Sequence, residues 1–144
     1  MDSILVRDYM DRNPHAIKAN ASVEQAVQVF MDEKITGAPV VDEKNLIVGF
    51  VSEQDCIQEL LNDSFYASNS PVVSKVMTTN VKVISPDCSI LELAEVMAKR
   101  PPSNYPVVED GRLVGLLSRR LILNALMETN KAGHVHAWFV FLSQ

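Results

Sequence analysis

The chain has 144 residues, 47% of them hydrophobic and 22% charged, with a formal net charge of −5. That length suits one compact domain or two small repeats sharing a core, and the ordinary composition excludes a disordered chain. The acidic balance repels phosphate backbones, which argues against broad nucleic-acid binding.

The opening stretch, Met1 to Asp8, lacks the basic flank and long apolar run of a signal peptide. No apolar run approaches membrane-spanning length, so a cytoplasmic chain without membrane insertion is expected. His15 to Lys18 reads as a short extended piece. Ser22 is a good helix N-cap, with Gln25 three residues later, and Val23, Ala26, Val27, Phe30 and Met31 then form one apolar stripe. Ala38 to Val41 and Leu46 to Val51 read as strands around the polar turn Asp42 to Asn45. A helix follows from Ser52, with Cys56, Ile57, Leu60 and Leu61 predicted inward. Residues 63–71, rich in Ser and Asn, form the expected linker.

The same order then returns. Val81 to Ile84 is extended, Ser89 caps a helix with Glu92 in the box position, and Ile90, Leu93, Ala94 and Met97 give its stripe. Tyr105 to Val108 and Leu113 to Leu117 flank Asp110-Gly111, a strong hairpin signal. A last helix starts at Ser118, with Ile122, Leu123, Leu126 and Met127 predicted inward. Residues 129–144 form an extension in which His134 to Leu142 is strand-like by composition.

An offset of 67 residues pairs Met10 with Met77, Asn13 with Asn80, Ile17 with Ile84, Ser22 with Ser89, and Pro39-Val40-Val41 with Pro106-Val107-Val108. The offset falls to 66 for Gly49 with Gly115 and Ser52 with Ser118, so the single deletion lies in the turn after Asp42. The fold expected is α/β (α+β): a β-α-β-β-α unit at 4–62 and its copy at 72–128, packed as one pseudo-symmetric module.

Ser52 stands at a helix start directly after an apolar strand, where free N–H groups and the helix dipole favour an anion. Asp55, one turn in, can accept hydrogen bonds from two ribose hydroxyls. Ser-x-x-Asp is equally a helix-capping pair worth about 1 kcal/mol, and the spacing leaves both roles open. In the second copy Leu121 stands in place of the aspartate. No catalytic triad, Walker loop or HExxH is present, so no enzyme is expected. Neither Cys56 nor Cys88 lies in a metal or redox motif, and both read as buried free thiols. His134 and His136 share one strand face but have no third ligand nearby in sequence, so they read as a surface or interface pair and no metal site is expected. The methionines at 10, 31, 77, 97 and 127 read as core.

The opening Val-x-x-x-Met, the segment Gly37-Ala38-Pro39-Val40-Val41-Asp42, and Gly49-Phe50-Val51-Ser52-Glu53-Gln54-Asp55 together resemble a tandem CBS-domain pair, or Bateman module, over roughly residues 4 to 128. The resemblance implies a regulatory module that senses AMP, ADP, ATP or S-adenosylmethionine between its two repeats and acts on a partner protein. It requires no cofactor. The alternative it leaves is a structural dimerisation module that binds no nucleotide. Carried across residue by residue, the resemblance places Ser52 and Asp55 opposite Val81, Lys82, Val83, Asn104, Tyr105 and Pro106, with Arg120 reaching phosphate. A weaker second cleft would gather His15, Ile17, Thr36, Ala38, Pro39 and Ser118, without an acidic anchor. The resemblance also implies a homodimer formed through helices, and the apolar run Trp138 to Leu142 makes the 129–144 strand a candidate contributor.

Overall fold

Ser22 and Gln25 cap each other reciprocally, and the helix predicted behind them runs Val23–Glu33 before ending at Lys34 in the left-handed region. The computed structural model describes residues 4–61, 71–99 and 104–131. Nearly all of the expected linker lies outside these residues, as do His134, His136 and Trp138 to Leu142.

The first repeat contains β1 (Ile17–Lys18), α1 (Val23–Glu33), β2 (Gly37–Val41), β3 (Ile47–Ser52) and α2 (Glu53–Glu59). The second contains α3 (Ile90–Lys99), β4 (Asn104–Glu109), β5 (Arg112–Ser118) and α4 (Arg119–Lys131). β1 pairs in parallel with β2, and β2 pairs antiparallel with β3. β4 and β5 form the matching hairpin, and both hairpins shift register at the same place, Val40/Val41 and Val107/Val108. The counterpart of β1, expected over Val81 to Ile84, does not form a strand. Ile84 alone pairs in parallel with Val107, the position at which Ile17 pairs with Val40.

The segment that opens each repeat packs on the other repeat. Val6 is buried with Ile90, Tyr105, Val107 and Leu117 of the second core, while Val73 is buried with Val23, Val40 and Val51 of the first. Backbone bonds match across the exchange. Val6 N–H donates to Cys88 O at 2.9 Å and Arg7 N–H to Pro86 O at 2.8 Å; their counterparts are Val73 to Ala21 at 2.8 Å and Ser74 to Ala19 at 3.0 Å. Asp11 then exchanges two bonds with Leu116, and Thr78 two with Phe50. An ion pair from Arg7 to Asp87 lies on this seam, exposed on both sides and therefore a minor contributor. The hairpin tips also meet. Ile47 N–H donates to Gly111 O and Leu113 N–H to Asn45 O, each at 3.1 Å, which sets the pseudo-two-fold axis at the Leu46–Arg112 bridge.

Several residues predicted inward face out instead. Met31, Ile57, Leu61, Leu123 and Met127 are all exposed. In α2 and at its C-cap, Cys56 and Leu60 pack against the first core; in α4, Ile122, Ala125 and Leu126 pack against the second. Ile57, Leu61, Leu123 and Met127 lie about 100° further round their helices, outside the arc that one sheet covers. Met10, Met77 and Met97 do contact the cores.

Glycine is required where the exchanged segments cross the hairpins. A Cβ on Gly49 would lie 2.5 Å from Met77 Sδ and 2.9 Å from Thr78 O; on Gly115 it would lie 2.6 Å from Met10 Sδ and 2.9 Å from Asp11 O. Gly49→Ala and Gly115→Ala should each lower stability by about 1–3 kcal/mol, read as a fall in the urea midpoint. Adding Met77→Ala to Gly49→Ala should recover only part of the loss, because the backbone carbonyl still clashes. Unchanged midpoints would show that the segments do not cross there.

Candidate functional site

β3 ends at Ser52, whose extended backbone turns directly into α2. Ser52 Oγ accepts from Asp55 N–H at 3.2 Å, and Asp55 Oδ2 accepts from both Ser52 N–H and Ser52 Oγ–H at 2.9 Å. The pair is therefore a complete capping box. It also limits what the helix end can offer. The N–H of Ser52 and of Asp55 are taken within the box, and Glu53 N–H donates to Thr36 O at 2.9 Å. The expected open anion site at the start of α2 is thus largely satisfied from within the chain. What the box leaves is Asp55 Oδ1, which has no hydrogen-bond partner among the described residues, on a half-buried side chain.

Directly behind Asp55, the thiol of Cys56 is buried, and burial pushes its pKa up, with the charges of Asp55 and Glu53 acting in the same direction. It stays protonated at neutral pH and is a core group, not a nucleophile.

Two short segments span the gap between the sheets. Thr78 is bonded to Phe50, two residues before Ser52, and Ile84 N–H donates to Pro106 O at 3.0 Å. Residues 79–83 must therefore run from the strand that carries Ser52 to the strand that carries Pro106. Val81 is half-buried on this crossing, and Lys82 and Val83 are exposed. By the same logic residues 12–16 run from Leu116 to the Ile17–Val40 pair. Asn104 is half-buried opposite Ser118. Tyr105 and Pro106 are buried, as are Ile17, Ala38 and Pro39 in the other half, so these five are core residues rather than exposed lining. Arg120 is exposed in the first turn of α4.

The second half differs as the sequence suggests. Ser118 Oγ accepts from Leu121 N–H at 3.2 Å, but the leucine returns no bond and packs against the second core. His15 is paired with Glu33 of α1 at 3.2 Å. Thr36 is exposed, and its carbonyl is used by Glu53.

The cavity that reaches Asp55 measures about 150 Å³ and is lined by Asp55, Gln58, Glu59, Lys75 and Val76. Lys75 was not foreseen, because it belongs to an exchanged segment and nothing in the repeat pattern says that this segment crosses over. A larger, open hollow of about 380 Å³ lies away from Asp55, between β1 and α1, with Lys18, Asn20 and Gln25 on its walls. The described residues contain no cluster of three metal-ligating side chains.

A family model described as the CBS domain matches this chain twice, over residues 6–62 and 73–128. The chain is 30% identical over 113 residues to the uncharacterized protein MJ1225 of Methanocaldococcus jannaschii, covering 78% of this chain and 39% of that protein. It is 28% identical over 116 residues to the inosine-5'-monophosphate dehydrogenase of Nitrosopumilus maritimus, covering 80% of this chain and 23% of that enzyme. The chain thus spans well under half the length of these two relatives. Among solved structures it is similar to CBSX2 from Arabidopsis thaliana in complex with AMP, at 28% identity and a TM-score of 0.76, covering 88% of this chain and 98% of that one. It is also similar to the CBS domain pair of MJ0100 in complex with 5'-methylthioadenosine and S-adenosyl-L-methionine, at 26% identity and a TM-score of 0.73, covering 89% and 99%. No helix among the described residues is long and apolar enough to cross a membrane.

Ser52→Ala removes the acceptor for Asp55 N–H and the hydroxyl donor to its carboxylate. It should lower the stability of the first repeat by about 1 kcal/mol, read as a lower thermal midpoint. Asp55→Ala keeps the serine cap and should cost less. The reverse ranking would show that the carboxylate, not the hydroxyl, holds the helix end.

Proposed function

This chain belongs to the CBS-domain family, carrying two of its domains in tandem, and from that premise we propose that it is a regulatory module which binds one adenosyl ligand at Asp55. Support comes from two similar proteins. CBSX2 was crystallised with AMP, and the MJ0100 pair with 5'-methylthioadenosine and S-adenosyl-L-methionine. AMP and S-adenosylmethionine are the ligand chemistries we favour. The observation that carries the reading is Asp55 itself, whose Oδ1 remains available for a ribose hydroxyl while Oδ2 holds the cap.

The crossing residues Val81, Lys82 and Val83, with Asn104 beside them, are the proposed bed for the base, and Tyr105 and Pro106 support it from the core. Ser52 acts chiefly by orienting Asp55. Arg120 is the proposed partner of a phosphate, since the start of α2 is largely satisfied internally. The reciprocal cleft at His15, Thr36 and Ser118 is the weaker one, because Leu121 supplies no acceptor and His15 is engaged by Glu33. The domains are proposed to run 4–62 and 72–128, joined by 63–71 and followed by the extension 129–144.

The module is proposed to catalyse nothing. It would act on a separate protein by changing shape or rigidity when the cleft fills. We further propose a homodimer through the exposed apolar faces of α2 and α4, which no described part of the chain covers.

Asp55→Ala should weaken binding by about 1.5–3 kcal/mol, roughly 10- to 150-fold, in calorimetry against AMP and S-adenosylmethionine. The wild type should show one strong site per chain. Equal affinities for the two proteins would remove Asp55 from the site, and two equal strong sites would contradict the asymmetry attributed to Leu121. Light scattering should give about twice the chain mass of 16.0 kDa. A mass near that of one chain at micromolar concentration would rule the dimer out.

A further inference from the structure

The cavity of about 150 Å³ beside Asp55 is walled by two segments: Asp55, Gln58 and Glu59 from one face of α2, and Lys75 and Val76 from the exchanged segment. The other half of the molecule supplies a comparison. The offset of 66 sets Leu121, Asn124 and Ala125 at the helix positions, and the offset of 67 sets Asp8 and Tyr9 at the segment positions. There Tyr9, Leu121 and Ala125 pack against the second core, and the tyrosine hydroxyl is hydrogen-bonded to Glu128. In the first half a valine replaces the tyrosine, and carboxylates replace the leucine and the alanine. The apolar filling of one half thus gives way, in the other, to a cavity with a polar wall.

The charges on that wall are mixed. Among the described residues neither Lys75 nor Glu59 forms an ion pair, so one ammonium and one carboxylate are held in the same cavity without neutralising each other. A phosphate monoester entering it would bring two negative charges against Asp55 and Glu59, with Lys75 alone to offset them, and would be repelled on balance. An amino-acid group carries one charge of each sign and matches both side chains. Its carboxylate can accept from Lys75, and its ammonium can donate to Glu59. The volume admits a short polar chain in place of a few waters and excludes a second nucleoside. In an adenosyl thioether or sulfonium such a chain leaves from C5' of the ribose, the same ring whose hydroxyls are proposed to meet Asp55.

We propose that this cavity seats the amino-acid tail of an adenosyl ligand, with Lys75 and Glu59 as the residues that select a zwitterionic tail over a phosphate. The proposal rests on the reading that Asp55 holds the ribose. S-adenosylhomocysteine and 5'-methylthioadenosine test it, because both are neutral thioethers of adenosine and only the first carries the amino-acid group. In calorimetry on the full chain, S-adenosylhomocysteine should bind at least about tenfold more tightly than 5'-methylthioadenosine, the gain expected from hydrogen bonds between charged groups. AMP should bind more weakly than S-adenosylhomocysteine. Lys75→Met and Glu59→Gln should each bring the ratio of the two thioether affinities down toward one. A ratio near one in the wild-type chain, a ratio that either substitution leaves unchanged, or tighter binding of AMP would overturn the tail assignment. The ribose reading would survive any of these results, provided that Asp55→Ala still weakens 5'-methylthioadenosine. Should Asp55→Ala leave that ligand's affinity unchanged, the ribose reading falls and the tail assignment with it.

Discussion

Everything in this module hangs on the exchange of its two opening segments. Val6 completes the second core and Val73 completes the first. Each is fixed by a ladder of backbone hydrogen bonds to a repeat that is not its own. An unpaired backbone group in these buried seams would cost about as much as a lost hydrogen bond, so the ladders leave the two repeats little freedom to separate. The close approach of Met10 to Gly115 and of Met77 to Gly49 follows from the same crossing. So do the segments 12–16 and 79–83, which must bridge from one sheet to the other. These bridges are therefore a by-product of how the cores are closed.

Within that frame one side-chain difference breaks the symmetry. Both repeats place a serine at the end of the second hairpin strand, and both serines cap the following helix. Only the first has a carboxylate to return the bond. A carboxylate held by its own helix is pre-positioned and loses little freedom when a ligand hydroxyl approaches its remaining oxygen. Capping engages only one oxygen of Asp55 and leaves the other without a partner among the described residues, so the proposed binding role is compatible with the cap. In the second repeat the leucine instead adds apolar contact to the core, a gain in packing at the expense of a polar anchor.

The outer faces of α2 and α4 show what the internal symmetry leaves unfinished. A helix lying on a two- or three-stranded sheet buries one stripe, and these helices carry apolar residues beyond it. A surface repeated at two pseudo-equivalent positions is well suited to closed two-fold association, because what fits one patch also fits the other.

Much of this was legible in the amino-acid order. The repeat offset, the capping serines at 22, 52 and 89, the hairpin turns and the replacement of an aspartate by Leu121 follow from local rules that act over a few residues, and local rules can be read from local sequence. The apolar stripe of α3 was also right, since Ile90, Leu93, Ala94 and Met97 all meet the core. Tertiary structure decided the rest. Periodicity gives the width of an apolar stripe but not the width of the surface that covers it, so Ile57, Leu61, Leu123 and Met127 were predicted inside and lie outside. Val81 to Ile84 has strand composition, yet only Ile84 meets a partner, because the chain there is spent on crossing between sheets. The exchange itself leaves no local trace. Val6 and Val73 would be buried under either repeat, and only the long-range competition between the two cores determines which valine goes where.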